Sequence, residues 1–188
     1  EWLSTKNLKI FSPVLGAGDI VIDDATTGNG NGILDPGETA YLIIPTTNSG
    51  GAVAVNTVGQ ISFPQSASQY IMVTNPVVNL ENIGIGATKN AVFTVITNII
   101  TPLSTPISFT YTVSTGTQGA MTSTFDKQLI IGATPNVLMA NGTMNTCNAR
   151  FYDSGGPDND YGLNENYVMT FYPGFPGAQV KISFNSFN

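Results

Sequence analysis

Ile107-Ser108-Phe109-Thr110-Tyr111-Thr112-Val113 alternates apolar and hydroxyl side chains without a break. Successive side chains of an extended strand point to opposite faces, so four apolar residues line one side and Ser/Thr the other. Thr115-Gly116-Thr117-Gln118-Gly119 follows as a turn, and Met121 to Ile131 returns across it as the second arm of a hairpin. Working outward, similar short runs lie between Gly, Pro and Asn: Leu8-Lys9-Ile10-Phe11, Tyr41 to Thr47, Ala52 to Phe63, Tyr70 to Val73, Pro76 to Leu80 and Ala91 to Ile96. No segment carries the apolar stripe of an amphipathic helix. Seven or eight strands in about 130 residues with turns at short intervals predict an all-β chain folded as a β-sandwich.

After Gly132 the pattern changes. Ala133 to Cys147 alternates little and contains Pro135 and Gly142, so 133–147 reads as a linker between a sandwich over 1–132 and a β segment over 148–188. Ala149 to Tyr152, Tyr167 to Tyr172 and Val180 to Phe187 are strand-like. Three strands cover too little apolar face for an independent domain, so the segment reads as incomplete and the chain as a piece cut from something longer.

Composition narrows the function. The 188 residues include 12 acidic and 6 basic side chains, no histidine and one cysteine. Every Ser-His-Asp, Cys-His and histidine–metal arrangement is thereby excluded. A net charge of −6 with scattered Lys/Arg argues against a phosphate-binding surface, so no nucleic-acid partner is expected. The longest apolar run, Ala40 to Ile44, is five residues, against about 20 for a membrane-spanning helix, so no membrane insertion is expected. Low charge and richness in Thr, Asn and Gly point to an extracellular bacterial module, secreted or on the cell surface. Trp2 reads as part of a packed first strand.

Nine of the twelve acids lie in two stretches that contain no Lys or Arg. The first holds Asp19, Asp23, Asp24, Asp35 and Glu38. Laid on the twelve-position calcium-loop pattern from Thr27 to Glu38, Gly32 falls at the glycine position. Asn29 and Asn31 fall at alternate ligand positions, Ile33 offers a carbonyl, and Glu38 closes the loop. Thr27 stands where an acid is usual, and Asp23 or Asp24 can fold back to supply that charge. The candidate Ca²⁺ ligands are therefore Asp23, Asp24, Asn29, Asn31, Ile33, Asp35 and Glu38, in a structural site. The same Asn-Gly-Asn-Gly and Asp-Pro-Gly also build tight turns with no metal.

The second stretch holds Asp153, Asp158, Asp160 and Glu165 and matches no complete metal pattern. A solvated Gly/Pro loop is one reading. A ligand-binding patch of Tyr152, Asp153, Asp158, Asp160 and Tyr161 is another, with Tyr167 and Tyr172 extending a sugar-stacking face.

Asp23-Asp24 leading into Asn29-Gly30-Asn31-Gly32-Ile33-Leu34-Asp35-Pro36-Gly37-Glu38-Thr39-Ala40, and then a strand ending Asn48-Ser49-Gly50-Gly51-Ala52, resembles the immunoglobulin-like modules of secreted Bacteroidetes proteins. Such modules often follow the catalytic domain of gingipain-like cysteine proteases exported by the type IX system. Cys147 to Gly156, continuing to Tyr167 and the strand Val180 to Phe187, resembles the first half of a CUB-type domain. The resemblance implies an immunoglobulin-like β-sandwich, a linker and a partial CUB-like β segment, with any protease chemistry outside this chain. It implies a non-catalytic part in structural support or adhesion. The expected partners are adjacent domains of the parent protein and a host or cell-surface protein or glycan. A carbohydrate-binding module is the alternative.

Overall fold

The computed structural model describes residues 9–146, 148–174 and 177–184. Trp2 and Cys147 therefore lie outside the described residues. Two antiparallel sheets form the body of the molecule. In the first, β1 (Leu15–Ala17) and β2 (Val21–Asp23) both pair with β3 (Thr39–Asn48), which pairs with β7 (Thr88–Thr97), which pairs with β5 (Ile71–Val73). The second runs β6 (Val77–Ile83), β4 (Ala54–Ser62), β8 (Thr105–Thr115), β9 (Met121–Ile131). β1 and β2 share one edge of the sheet, interrupted around Gly18, whose N–H donates to the Pro45 carbonyl at 2.8 Å. In space the two sheets match an immunoglobulin-like ABED sheet facing a C′CFG sheet, but along the chain the strand in the D position, β5, precedes the strand in the C′ position, β6.

Alternation explains the layering. Along β8 every second residue from Ile107 to Val113 is buried, while Ser108, Thr110, Thr112 and Ser114 face outward. β3 does the same with Ala40, Leu42 and Ile44, and β7 with Ala91, Phe93 and Val95. The expected hairpin forms, with Thr105↔Ile131 through Thr115↔Met121 in continuous register.

Among the polar groups buried in this interior, Tyr111 and Asn48 each join separate elements. Tyr111 of β8 lies 2.6 Å from Thr46 of β3, across the two sheets. Thr46 also donates to the Ile44 carbonyl at 3.3 Å, which leaves the Tyr111 O–H as the donor to Thr46. Burial pushes the Tyr111 hydroxyl above its ordinary value of 10.0, partly offset by that bond. Asn48, fully buried at the end of β3, accepts from Val14 N and Gly50 N and donates to the Ala52 and Ile83 carbonyls. One amide thus fastens the chain before β1, the β3–β4 turn and the end of β6.

Three local expectations differ from the structure. Residues 9–11 form no strand, and Ile10 and Phe11 are exposed; Leu8 lies outside the described residues. The stretch read as a linker contains β10 (Asn136–Leu138) and β11 (Gly142–Thr146). These pair in parallel with β12 (Arg150–Tyr152) and β13 (Met169–Pro173). Alternation is missing there because no described residue after Gly132 is buried, so neither strand face has an interior to fill. Residues 180–184 are not in a strand, and 185–188 lie outside the described residues. Phe151 of β12 meets Phe171 of β13 edge to face at 5.2 Å, linking the two ribbons. No helix among the described residues is long and apolar enough to cross a membrane.

Replacing Asn48 with alanine strands several buried backbone groups at once, and should cost at least about 3 kcal/mol in urea unfolding. Tyr111→Phe removes one hydrogen bond with little change of volume and should cost about 1 kcal/mol. A smaller loss for Asn48→Ala than for Tyr111→Phe would show that the amide is not the fastening described.

Candidate functional site: an acidic loop at one end of the sandwich

The connection from Asp23 at the end of β2 to Thr39 at the start of β3 is a turn-rich loop anchored by one apolar side chain. Leu34 is 1% exposed and belongs to the sandwich core. Its carbonyl accepts from Gly132 N at 2.8 Å, tying the loop to the exit of β9. With Leu34 inserted, the flanking polar residues are drawn below the surface. Asp24, Asp35 and Glu38 are all buried.

Each buried carboxylate is met by donors of the loop itself. Asp24 accepts from Asn31 N at 2.9 Å and Gly32 N at 3.0 Å. Glu38 accepts from Asn29 N at 2.8 Å and Asp35 N at 2.9 Å, one on each oxygen. Asp35 Oδ2 accepts from the side-chain amides of Asn29 and Asn31, both at 2.9 Å. The Asn29 and Asn31 amide oxygens in turn accept from Asn31 N and Ile33 N. Gly32 has φ +75, a conformation that favours glycine, as its position in the loop pattern requires. At Gly28 a Cβ would lie 2.0 Å from Glu38 Oε1, so a side chain there would displace the glutamate.

The structure therefore brings together Asp24, Asn29, Asn31, Asp35 and Glu38 of the seven candidate ligands. Of the two acids able to fold back, Asp24 does so. Asp23 stays on β2, its carboxylate accepting from Ala25 N at 3.2 Å. Ile33 joins through its N–H. Thr97 at the end of β7 carries no signal in the local sequence, yet it completes the loop. Its hydroxyl donates to the Asp35 carbonyl at 2.5 Å and accepts from Glu38 N at 2.9 Å. Only the β3–β7 register, Thr39↔Ile96, places it there.

Electrostatics leave this loop short of positive charge. Among the described residues the one ion pair is Lys89–Glu81 at 3.1 Å, on exposed side chains away from the loop. Lys127 instead donates to the Gly18 carbonyl at 2.7 Å, bridging β9 to the chain after β1. Burial raises the Glu38 pKa above its ordinary 4.5; backbone donors at Asp35 and Asn29 lower it in part, and the charges of Asp24 and Asp35 raise it further. The donor chemistry suits a hard cation, since the five residues offer carboxylate and amide oxygens. Those oxygens accept N–H groups here, and no three acids among the described residues are grouped as a ready metal cluster.

The second acidic stretch is built differently. Tyr152, Asp153, Asp158, Asp160 and Tyr161 all line one open hollow of about 580 Å³, with Phe151, Pro157 and Asn159. Tyr161 is 62% exposed. Asp153 accepts from Gly155 N at 2.9 Å, and Ser154 bonds Glu165. Tyr167 and Tyr172 are exposed elsewhere and do not line it. The acidic loop meets this C-terminal region through Asn145 of β11, which donates to the Asn29 carbonyl at 3.3 Å.

No protein family and no curated relative matches the sequence. Among solved structures the chain is similar to an ASH/PapD-like domain of human CEP192, at 13% identity over 71% of this chain and 97% of that one, with a TM-score of 0.36. It is similar to the C-terminal domain of wzt at 13% identity, over 66% and 77% of the two chains, with a TM-score of 0.38. A family 123 glycoside hydrolase from Clostridium perfringens gives 11% identity over 66% of this chain and 30% of that one, with a TM-score of 0.32. Scores this low say nothing of shared function.

The raised pKa gives the pH dependence a sign. The folded chain holds the Glu38 proton more tightly than the unfolded chain, so this group stabilises below about pH 4.5 and that contribution is lost as pH rises through the folded value. Urea unfolding of the chelated protein and of Glu38→Gln should give a difference in stability that shrinks as pH rises through this window. The substituted amide turns one N–H toward a backbone donor, so the variant should still be about 1–3 kcal/mol weaker below the window. A difference that grows with pH would mean that the two backbone donors outweigh burial and the neighbouring charges.

Proposed function

We propose that this chain is a non-catalytic extracellular β-sandwich module of a larger secreted or cell-surface protein, serving structural support of its neighbours or adhesion to a protein surface. One observation carries the reading. The buried carboxylates, Asp24, Asp35 and Glu38, turn their oxygens to N–H groups of their own loop. A catalytic acid or base needs an atom directed at a substrate, whereas these hold the loop to itself, and Thr97 ties its backbone to β7. The likeness of the Asn29–Ala40 stretch to modules of gingipain-like proteases supports the same reading, with the protease chemistry in another part of the parent.

Calcium is the ligand proposed for the loop, held by Asp24, Asn29, Asn31, Asp35 and Glu38. Three buried carboxylates with no Lys or Arg bonded to them among the described residues support it, as does the rise in Glu38 pKa from burial and two like-charged neighbours. The bound ion would supply the missing positive charge and stiffen the β2–β3 connection. A carbohydrate-binding role is the second reading. It rests on the exposed Tyr161 and half-buried Tyr152 flanking one hollow with Asp153, Asp158 and Asp160.

Thermal unfolding in excess Ca²⁺ and in chelator should separate by several degrees, since saturation at about 100 times the Kd adds about 2.7 kcal/mol. The separation should vanish in Glu38→Gln. Equal melting temperatures for the wild type in both buffers would remove calcium and leave the loop as a hydrogen-bonded turn. For the second reading, retention on an insoluble polysaccharide column should be lost in Tyr161→Ala; passage of the wild type straight through columns of several neutral and acidic glycans would dismiss it.

A further inference from the structure

The sequence holds three Asn-Gly pairs: Asn29-Gly30, Asn31-Gly32 and Asn141-Gly142. An Asn-Gly pair is chemically labile because the glycine N–H, unhindered by a neighbouring side chain, can reach the preceding amide carbon. The structure treats the three pairs differently. Gly32 N donates to Asp24 Oδ1 at 3.0 Å, and Gly142 N donates to the Val168 carbonyl at 3.0 Å. Gly30 is exposed, with φ +77, and its N–H has no acceptor among the described residues.

Asn29 and Asn31 are otherwise closely matched. Each side-chain Nδ2 donates to Asp35 Oδ2 at 2.9 Å. Each Oδ1 accepts the N–H two residues on, at 3.1 Å for Asn29 and 2.7 Å for Asn31. That N–H faces the oxygen on which negative charge gathers when the amide carbon is attacked. The loop thus presents one electrophile twice, with the nucleophile engaged at Gly32 and free at Gly30.

We propose that Asn29 is a self-modification site. Gly30 N attacks Asn29 Cγ, the new C–N bond closes a five-membered imide, and the Cγ–Nδ2 bond breaks to release ammonia. The proton lost by Gly30 N and the one gained by the departing nitrogen pass through water. Water then opens the imide at either carbonyl, leaving aspartate or isoaspartate at position 29, with no change of oxidation state. The product replaces a donor to Asp35 with a fourth negative group in a loop that already buries three. The N–H tie from Asn29 to Asp35 is lost, and like charges meet where a hydrogen bond stood. This chemistry is that of the loop free of calcium and does not rest on the proposed metal.

Incubation of the full chain in mildly alkaline, chelated buffer, followed by peptide mapping with mass spectrometry, reads all three sites together. In the folded protein Asn29 should convert at least about tenfold faster than Asn31 and Asn141, the factor set by the hydrogen bonds holding Gly32 and Gly142. In concentrated urea the three rates should come within a few-fold of one another. Asp24→Ala frees Gly32 N and should raise conversion at Asn31 relative to Asn29. Comparable rates at all three sites in the folded protein, or Asn31 leading, would overturn the assignment. If Asp24→Ala does not fold, the folded and urea rates of the wild type decide the matter.

Discussion

Two twisted sheets share one apolar interior, and closing its ends constrains the rest of the molecule. Strand alternation fills the middle with Leu42, Ile44, Phe93, Val95, Phe109 and Val113. At the ends the chain must turn, and turns carry backbone polar groups into partly dry surroundings where each needs a partner. At one end Asn48 supplies four such bonds from a single side chain. At the other, Leu34 plugs the core and draws an acidic loop in behind it.

The acidic loop shows what that insertion costs. Carboxylates are rarely buried without a partner, and this loop buries three within 15 residues of chain. Its response is local: backbone and amide N–H groups supply the donors, and Thr97 locks the closing residues to β7. Hydrogen bonds to a carboxylate hold a charge in place without neutralising it. Burial, with the charges of Asp24 and Asp35 adding to it, leaves the Glu38 pKa above its ordinary value despite the backbone donors at Asp35 and Asn29. The same hydrogen bonding decides which of the loop's backbone N–H groups find an acceptor, as Gly32 N does on Asp24.

The region after Gly132 obeys different rules. Its two ribbons are parallel and two-stranded, and none of its described residues is buried. Parallel strands usually have both faces covered, and isolated two-stranded ribbons are marginal. Phe151 and Phe171 provide a small local contact, but the Tyr152–Tyr161 hollow rests on a scaffold with little interior of its own. This contrast sets the sandwich apart as the packed body of the chain.

Alternation was legible in the residues themselves, and with it the strands from Tyr41 to Ile131, the Met121–Ile131 hairpin arm and the all-β sandwich. Period-two patterning is a direct imprint of one buried and one wet face, so it survives without knowledge of the fold. The glycine at position 32 and the clustering of Asp24, Asn29, Asn31, Asp35 and Glu38 were legible for the same reason, since those ties span at most nine residues. Where no face is buried there is no imprint, and β10 and β11 could not be read. Tertiary structure alone decided that Asp24 and not Asp23 turns inward, because Asp23 is held by the β2–β3 ladder. It alone brought Thr97 and Gly132 to the loop, contacts fixed by strand register across the sheet and by the exit of the last sandwich strand, about which the local sequence holds no information.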